Sequence, residues 1–155
     1  ATAMAYPDAT FDLAWTQHVS MNIADKGELY AETFRVLKPG MRFALYDIIA
    51  GSAGDPRYPV PWASQPEISH LVERDTVRSH LEGAGFRIEH WEDPTAWALD
   101  WLHTTRAKVA KAGGPPPLSL RAIMGPDFAL KLENLAQNLE EGRVELLRAI
   151  AVRDG

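Results

Sequence analysis

The first fifty residues alternate between apolar runs and one amphipathic stretch. Residues 11–15 are apolar apart from Asp12, which is typical of a buried parallel strand. An amphipathic helix then follows a capping-box start at Asp25, and Pro39-Gly40 should end that helix. Residues 43–50 form a second apolar run. A strand, a helix and a strand in this order make a βαβ unit, which predicts a parallel sheet.

Beyond residue 50 the same rhythm continues with longer interruptions. Gly85 closes a second predicted helix before a strand, and Trp97 and Trp101 lie one turn apart in a third helix. The glycines and prolines of residues 113–117 should end that third helix. We interpret residues 1–155 as one partial domain in five parts. They are a strand–helix–strand core at 1–50, a proline-rich loop at 51–74, a helix–strand unit at 75–92, a helical insertion at 93–127, and a final helix and strand at 128–155.

Composition and charge narrow the classes of partner. A formal charge of −5 leaves no basic face for phosphate backbones, so nucleic acid is not an expected partner, and a small molecule fits better. No run of about 18 apolar residues indicates a membrane span, and a cytoplasmic location is the default expectation. The chain has no cysteine, and its histidines show no metal-ligand spacing, so no metal site is expected.

Five short segments carry a specific order and spacing. They are Tyr6-Pro7-Asp8, Phe11-Asp12-Leu13, Arg35-Val36-Leu37-Lys38-Pro39-Gly40, Phe43-Ala44-Leu45 and Gly83-Ala84-Gly85-Phe86. In this order the chain resembles the second half of class I S-adenosylmethionine-dependent methyltransferases of the ubiquinone/menaquinone and sarcosine/dimethylglycine type. The resemblance is good up to about residue 92 and weaker over the final helix and strand.

The resemblance implies an α/β fold, namely the C-terminal half of a doubly wound, Rossmann-like methyltransferase sheet with a helical insertion. The family's glycine-rich turn and the acidic end of its second strand precede every segment matched here. We therefore expect the chain to be the C-terminal part of a longer domain. We expect residues 1–155 alone to bind S-adenosylmethionine weakly or not at all.

The resemblance also assigns cofactor positions. Ala1 and Met4 fall where the family touches adenine, and Thr16, Gln17 and His18 fall at the methionine end of the cofactor. Gln17 matches a cofactor-contacting position of the family. If the acceptor has a proton to lose, His18 is the candidate catalytic base, since an imidazole titrates near neutrality. The alternative for His18 is a loop residue bonded to a neighbouring backbone group.

Five further residues are candidates for the acceptor side. Asn22, Tyr46, Asp47, Tyr58 and Trp62 lie where acceptor pockets of this family open or are covered by a loop. Three of them have a structural alternative: Asn22 as a residue approaching the helix, Asp47 bonded to a helix end, and Trp62 as the anchor of a stiff loop. The tryptophans of the helical insertion are expected to be core or interface residues.

Three functional hypotheses follow. The first is methyl transfer from S-adenosylmethionine to a small-molecule acceptor at N, O or C. The second is a non-catalytic or truncated methyltransferase-like fragment that self-associates as a homodimer, because an unpaired strand is a template for association. The third, a nicotinamide-binding oxidoreductase, would use the same sheet class but also needs a glycine-rich turn.

Overall fold

The computed structural model describes residues 1–114 and 121–154. The strands are β1 (Phe11–Gln17), β2 (Leu37–Ala50), β3 (Phe86–Glu92) and β4 (Val144–Arg153). The helices are α1 (Lys26–Val36), α2 (Arg74–Gly83), α3 (Thr95–Lys111), α4 (Arg121–Met124) and α5 (Phe128–Glu140). Short 3₁₀ turns cover Ser20–Asn22 and Pro66–Ile68. The predicted helix stop at residues 115–117 lies outside the described residues.

The four strands form one mixed sheet in the order β1–β2–β4–β3. β1 and β2 are parallel, as the βαβ pattern predicts, and their register ends with Gln17 opposite Tyr46. β4 runs antiparallel to both β2 and β3 and separates them. The fold is therefore α/β, as expected. The helix–strand rhythm alone gives no sign that the last strand inserts between two earlier ones.

The first helix starts where the sequence predicts and ends earlier. The Asp25 side chain caps α1 by accepting from the Glu28 backbone N–H at 2.9 Å. The predicted stop at Pro39-Gly40 is too late, because β2 already begins at Leu37. The physical reason lies at the far end of the chain, where the Arg153 guanidinium donates to three backbone carbonyls at the helix end. These bonds satisfy oxygens that a longer helix would otherwise have used.

One face of the sheet is covered and the other only in part. Helices α1 and α2 pack on the first face, where Tyr30, Leu81 and Leu147 are fully buried. The second face is covered at one end by α3 and α5, which pack around Ile48. The core thus lies mainly between the sheet and α1–α2.

Several apolar side chains expected in the interior are exposed. Leu13 and Trp15 of β1 are 61% and 67% exposed, so the prediction of a buried strand is wrong for them. Their exposure follows from position: β1 is an edge strand, and the helices of the described residues leave this part of the second face open. Trp97 and Trp101 are 65% and 53% exposed and do not belong to the core.

The proline-rich segment between β2 and α2 is irregular but well anchored. The Asn138 amide of α5 donates to the Arg57 carbonyl at 3.0 Å and accepts from its N–H at 2.8 Å. Asn134 donates to the Pro59 carbonyl at 2.9 Å. Among the described residues, no helix has the length and apolarity to cross a membrane.

Candidate functional site

The carboxyl end of β1 forms a turn that exposes two polar side chains. His18 leaves the sheet with a positive φ of 53°, and its N–H still donates to the Tyr46 carbonyl at 2.9 Å. Non-glycine residues adopt this left-handed conformation rarely, so the turn is constrained by its surroundings. Gln17 and His18 are exposed, and with Trp15 they line an open depression of about 450 Å³.

Asp47 constrains this turn from inside the protein. Its side chain is fully buried, and its carboxylate accepts from the backbone N–H groups of Val19 at 2.7 Å and Ser20 at 3.4 Å. Burial raises the pKa of Asp47 above its usual range, and the hydrogen bonds from Ser20 and Val19 oppose that rise. Of the two alternatives for Asp47, the geometry favours the structural bond over a contact with an acceptor.

The electrostatics of the turn favour a neutral imidazole. Partial burial lowers the pKa of His18 below 6.5, and the Asp47 charge opposes this shift without cancelling it. The His18 ring lies 5.0 Å from the Tyr46 ring, centroid to centroid. Burial also raises the pKa of the Tyr46 phenol, and nearby Arg148 opposes that rise. At neutral pH the arrangement therefore holds an uncharged base beside an uncharged phenol.

The acceptor-side candidates divide into two groups. Asn22 is tied to the loop, because its amide donates to the Trp62 carbonyl at 2.8 Å. The Trp62 indole N–H donates to the Ser69 hydroxyl at 2.9 Å, and its ring packs on the second-face cluster. Tyr58 is half-buried, and its chain neighbours bond to α5 rather than to the strand-end turn. The structure therefore joins Trp62 to Asn22 in the turn, whereas Tyr58 lies in the part of the loop that is bonded to α5.

Several known methyltransferases are similar to parts of this chain. A family model described as "Methyltransferase domain" matches residues 1–45, which contain β1, the turn and α1. The chain is 27% identical over 88 residues to a dimethylglycine N-methyltransferase of Parasynechococcus marenigrum, covering 57% of this chain and 31% of that protein. It is 31% identical over 110 residues to a phosphoethanolamine N-methyltransferase of Triticum aestivum, covering 71% of this chain and 22% of that protein.

A solved structure extends the likeness to nearly all of the chain. Phosphoethanolamine N-methyltransferase 2 of Haemonchus contortus superposes with a TM-score of 0.77 at 14% identity, covering 97% of this chain and 35% of that one. The resemblance to class I S-adenosylmethionine-dependent methyltransferases is confirmed. At this identity the structural likeness shows the fold alone. The chain spans less than a third of the length of the two curated methyltransferases named above.

Not every predicted cofactor residue lies at the same end of the sheet. The Met4 N–H donates to the Glu32 carboxylate at 2.6 Å, and Arg35 donates to the Met4 carbonyl at 3.2 Å. Both partners belong to the C-terminal half of α1, which leads into the first residue of β2. Met4 is thus held near the amino end of the strands, and Gln17 lies at their carboxyl end. The structure does not bring these two residues together, and it leaves Ala1 exposed.

Thr16 is half-buried, and its hydroxyl group is unsatisfied. The oxygen is buried without a hydrogen-bond partner among the described residues. Such groups are uncommon because each unmade bond costs free energy. Thr16, Gln17 and His18 stay together in the structure as the sequence suggested.

Sequence reasoning missed Lys26. This residue is only 3% exposed, and its ammonium donates to the backbone carbonyls of Ser20, Ile23 and His70. Burial lowers the pKa of Lys26 to about 8, with Asp47 opposing the shift. One signal was available: Lys26 is the first residue of α1, where the helix dipole disfavours a cation. A lysine placed there needs other acceptors.

Proposed function

We propose that this protein transfers a methyl group from S-adenosylmethionine to a small-molecule acceptor at the carboxyl end of β1. One observation carries the proposal. The segment that matches the methyltransferase model ends its first strand with Gln17 and His18 exposed on the edge of the sheet. In open α/β sheets, ligands bind beyond the carboxyl ends of the strands.

The residues at this edge fit the methionine end of the cofactor. The Gln17 amide offers both donors and acceptors for an amino-acid group, and the Thr16 hydroxyl has no hydrogen-bond partner within residues 1–114 and 121–154. Trp15 and Tyr46 present aromatic faces of the kind that attract a cation. S-adenosylmethionine supplies the methyl group on a positively charged sulfur when it is bound. The family resemblance assigns Ala1 and Met4 to the adenine, and we propose them as adenine contacts. Neither residue is hydrogen-bonded to the turn in the part of the chain that the structure describes.

Each remaining residue has a role that suits a displacement reaction. Alignment and exclusion of water dominate such a reaction, so few groups need to act on protons. His18 accepts a proton from the acceptor where one is released, and Asp47 holds the turn that presents it. Tyr46 flanks His18, and the loop that carries Tyr58 and Trp62, held by Asn22, bounds the acceptor side.

Transfer of labelled methyl from S-adenosylmethionine to a panel of small amines, alcohols and carbon nucleophiles tests the proposal. We expect His18→Gln to reduce the rate of transfer by about 10²- to 10⁴-fold with an acceptor that loses a proton. His103→Gln is the matched control. His103 is exposed, lies on α3 rather than in the turn, and pairs with Glu140 of α5. Equal rates for wild type and His18→Gln with every active acceptor would refute the role of His18.

Assembly and location complete the proposal. We propose a homodimer and a cytoplasmic location. Trp97 and Trp101 are more than half exposed and lie one turn apart on α3, which supports self-association, because clustered exposed apolar groups mark interaction surfaces. Trp15 on the edge strand β1 is a further exposed aromatic side chain. The acceptor is proposed only as a class, namely a small molecule.

A further inference from the structure

A buried lysine lies behind the proposed reaction site and takes no part in the chemistry proposed above. The Lys26 side chain is nine-tenths or more removed from solvent, and its ammonium has three donors. They go to the carbonyls of Ser20 and Ile23 in the strand-end turn and to the His70 carbonyl at 2.7 Å. The lysine therefore has every donor used by the protein backbone.

A buried lysine at the start of a helix destabilises the fold unless its contacts offset that cost. Burial removes the hydration of an ammonium ion, and the start of a helix adds an unfavourable dipole. Lys38, by contrast, is 45% exposed and pairs with Asp12 at the surface. The buried Asp47 carboxylate is the opposite charge that acts on Lys26, and it also raises the pKa of the fully buried Tyr30. The charge of Lys26 is thus balanced by three carbonyls and one carboxylate.

These contacts join two segments that are remote in sequence. Ser20 and Ile23 belong to the turn that follows Gln17 and His18, and His70 ends the irregular segment that carries Trp62. Two further bonds reinforce the junction. The His70 N–H donates to the Met21 carbonyl at 2.8 Å, and the Asn22 amide donates to the Trp62 carbonyl at 2.8 Å.

We infer that Lys26 is a positioning residue that locks the loop of residues 56–70 to the turn of residues 18–23. The consequence for chemistry rests on the proposed function. If the turn presents His18 and the loop bounds the acceptor, Lys26 fixes the distance between cofactor side and acceptor side. Displacement reactions are sensitive to such alignment, because a small misplacement of the reacting atoms lowers the rate strongly.

Hydrogen exchange on the full chain tests the inference without any activity. In Lys26→Met the amides of His70, Ser20 and Val19 should exchange about tenfold faster or more, because the carbonyls of Ser20 and His70 lose the ammonium that joins the two segments. Lys38→Met removes the same charge at an exposed site and should leave them unchanged. Amides of the β3–β4 pairing serve as the internal reference. Unchanged exchange at His70, Ser20 and Val19 in a folded Lys26→Met chain overturns the inference.

A second variant decides the matter if Lys26→Met does not fold. Asn22 is exposed, and Asn22→Ala removes the bonds from the turn to the carbonyls of Trp62 and Ile68 while leaving Lys26 in place. Exchange at Ser69 and His70 should then rise, and an unchanged pattern contradicts the junction.

Methyl transfer supplies the separate functional readout. Lys26→Arg and Asn22→Ala should raise KM for the acceptor and lower kcat while the Kd for S-adenosylhomocysteine stays constant. The exchange result does not depend on methyl transfer, so the positioning role of Lys26 and the proposed function can fail separately.

Discussion

His18 combines an unusual backbone with an electrostatic environment that keeps its ring neutral. The φ of His18 is 53°, its ring lies beside the Tyr46 ring, and partial burial lowers the pKa of the imidazole. The Asp47 carboxylate acts in the opposite direction. A base with these properties stays unprotonated at neutral pH, which proton abstraction requires.

The pKa of His18 can be measured by NMR titration of its ring protons. We predict a midpoint below 6.5 in the folded chain, and a lower one still in Asp47→Asn, which removes the charge that raises it. The same histidine in a short peptide provides the reference. Since the unfolded chain binds the proton more readily, the stability that His18 contributes is present above pH 6.5 and is lost as the pH falls toward its folded pKa. A midpoint at or above 6.5 would contradict this environment.

Asp47 should matter more for stability than any surface carboxylate. Asp47→Ala leaves two backbone N–H groups without their acceptor and leaves Lys26 without its nearby opposite charge. We predict a loss of about 3 kcal/mol in the free energy of unfolding, measured by urea denaturation. Asp12→Ala is the control, because its pair with Lys38 is exposed and should be worth about 1 kcal/mol or less. Similar losses for the two variants would show that Asp47 does not brace the turn.

At the scale of the elements, the end of α1 depends on a residue from the last strand. The Arg153 guanidinium donates to the carbonyls of Phe34, Arg35 and Leu37 and lies 4.6 Å over the Phe34 ring. β4 therefore does two things, since it fills the sheet between β2 and β3 and also closes the first helix.

Removing this guanidinium should weaken the junction between helix and strand. We predict that Arg153→Met lowers the free energy of unfolding by about 2 kcal/mol, because helix-end carbonyls lose a charged donor. Arg87→Met is the matched control, since Arg87 pairs with Asp154 at the surface. Equal midpoints of urea denaturation for Arg153→Met and wild type would contradict this role of β4.

The elements that sequence predicts well are those whose signals are local. Asp25 caps α1 through a residue three positions away, and Gly85 closes the turn before β3 with a φ of 100°. The end of α1 could not be predicted because Arg153 lies 118 residues from Arg35. The same holds for the site. Gln17 and His18 follow from the end of a strand, whereas Lys26 meets His70 only after folding.

At the scale of the whole molecule, the exposed aromatic side chains predict self-association. We expect the chain to elute at about twice its monomer mass, and Trp97→Ser with Trp101→Ser to return it to the monomer, because both side chains are more than half exposed on α3. Leu130→Ser changes an exposed apolar residue of α5 and should leave the dimer intact. A monomer at every concentration of the wild-type chain would contradict the homodimer.

The central prediction for this protein is that the cofactor binds at the carboxyl end of β1. An NMR titration of the isotopically labelled chain with S-adenosylhomocysteine tests this most directly, with the ligand taken to its solubility limit because weak binding is expected. We predict that the largest amide shift changes fall on Thr16, Gln17, His18 and Val19, and that Gln17→Ala reduces them. Shift changes confined to another part of the chain would contradict a cofactor site at the carboxyl end of β1.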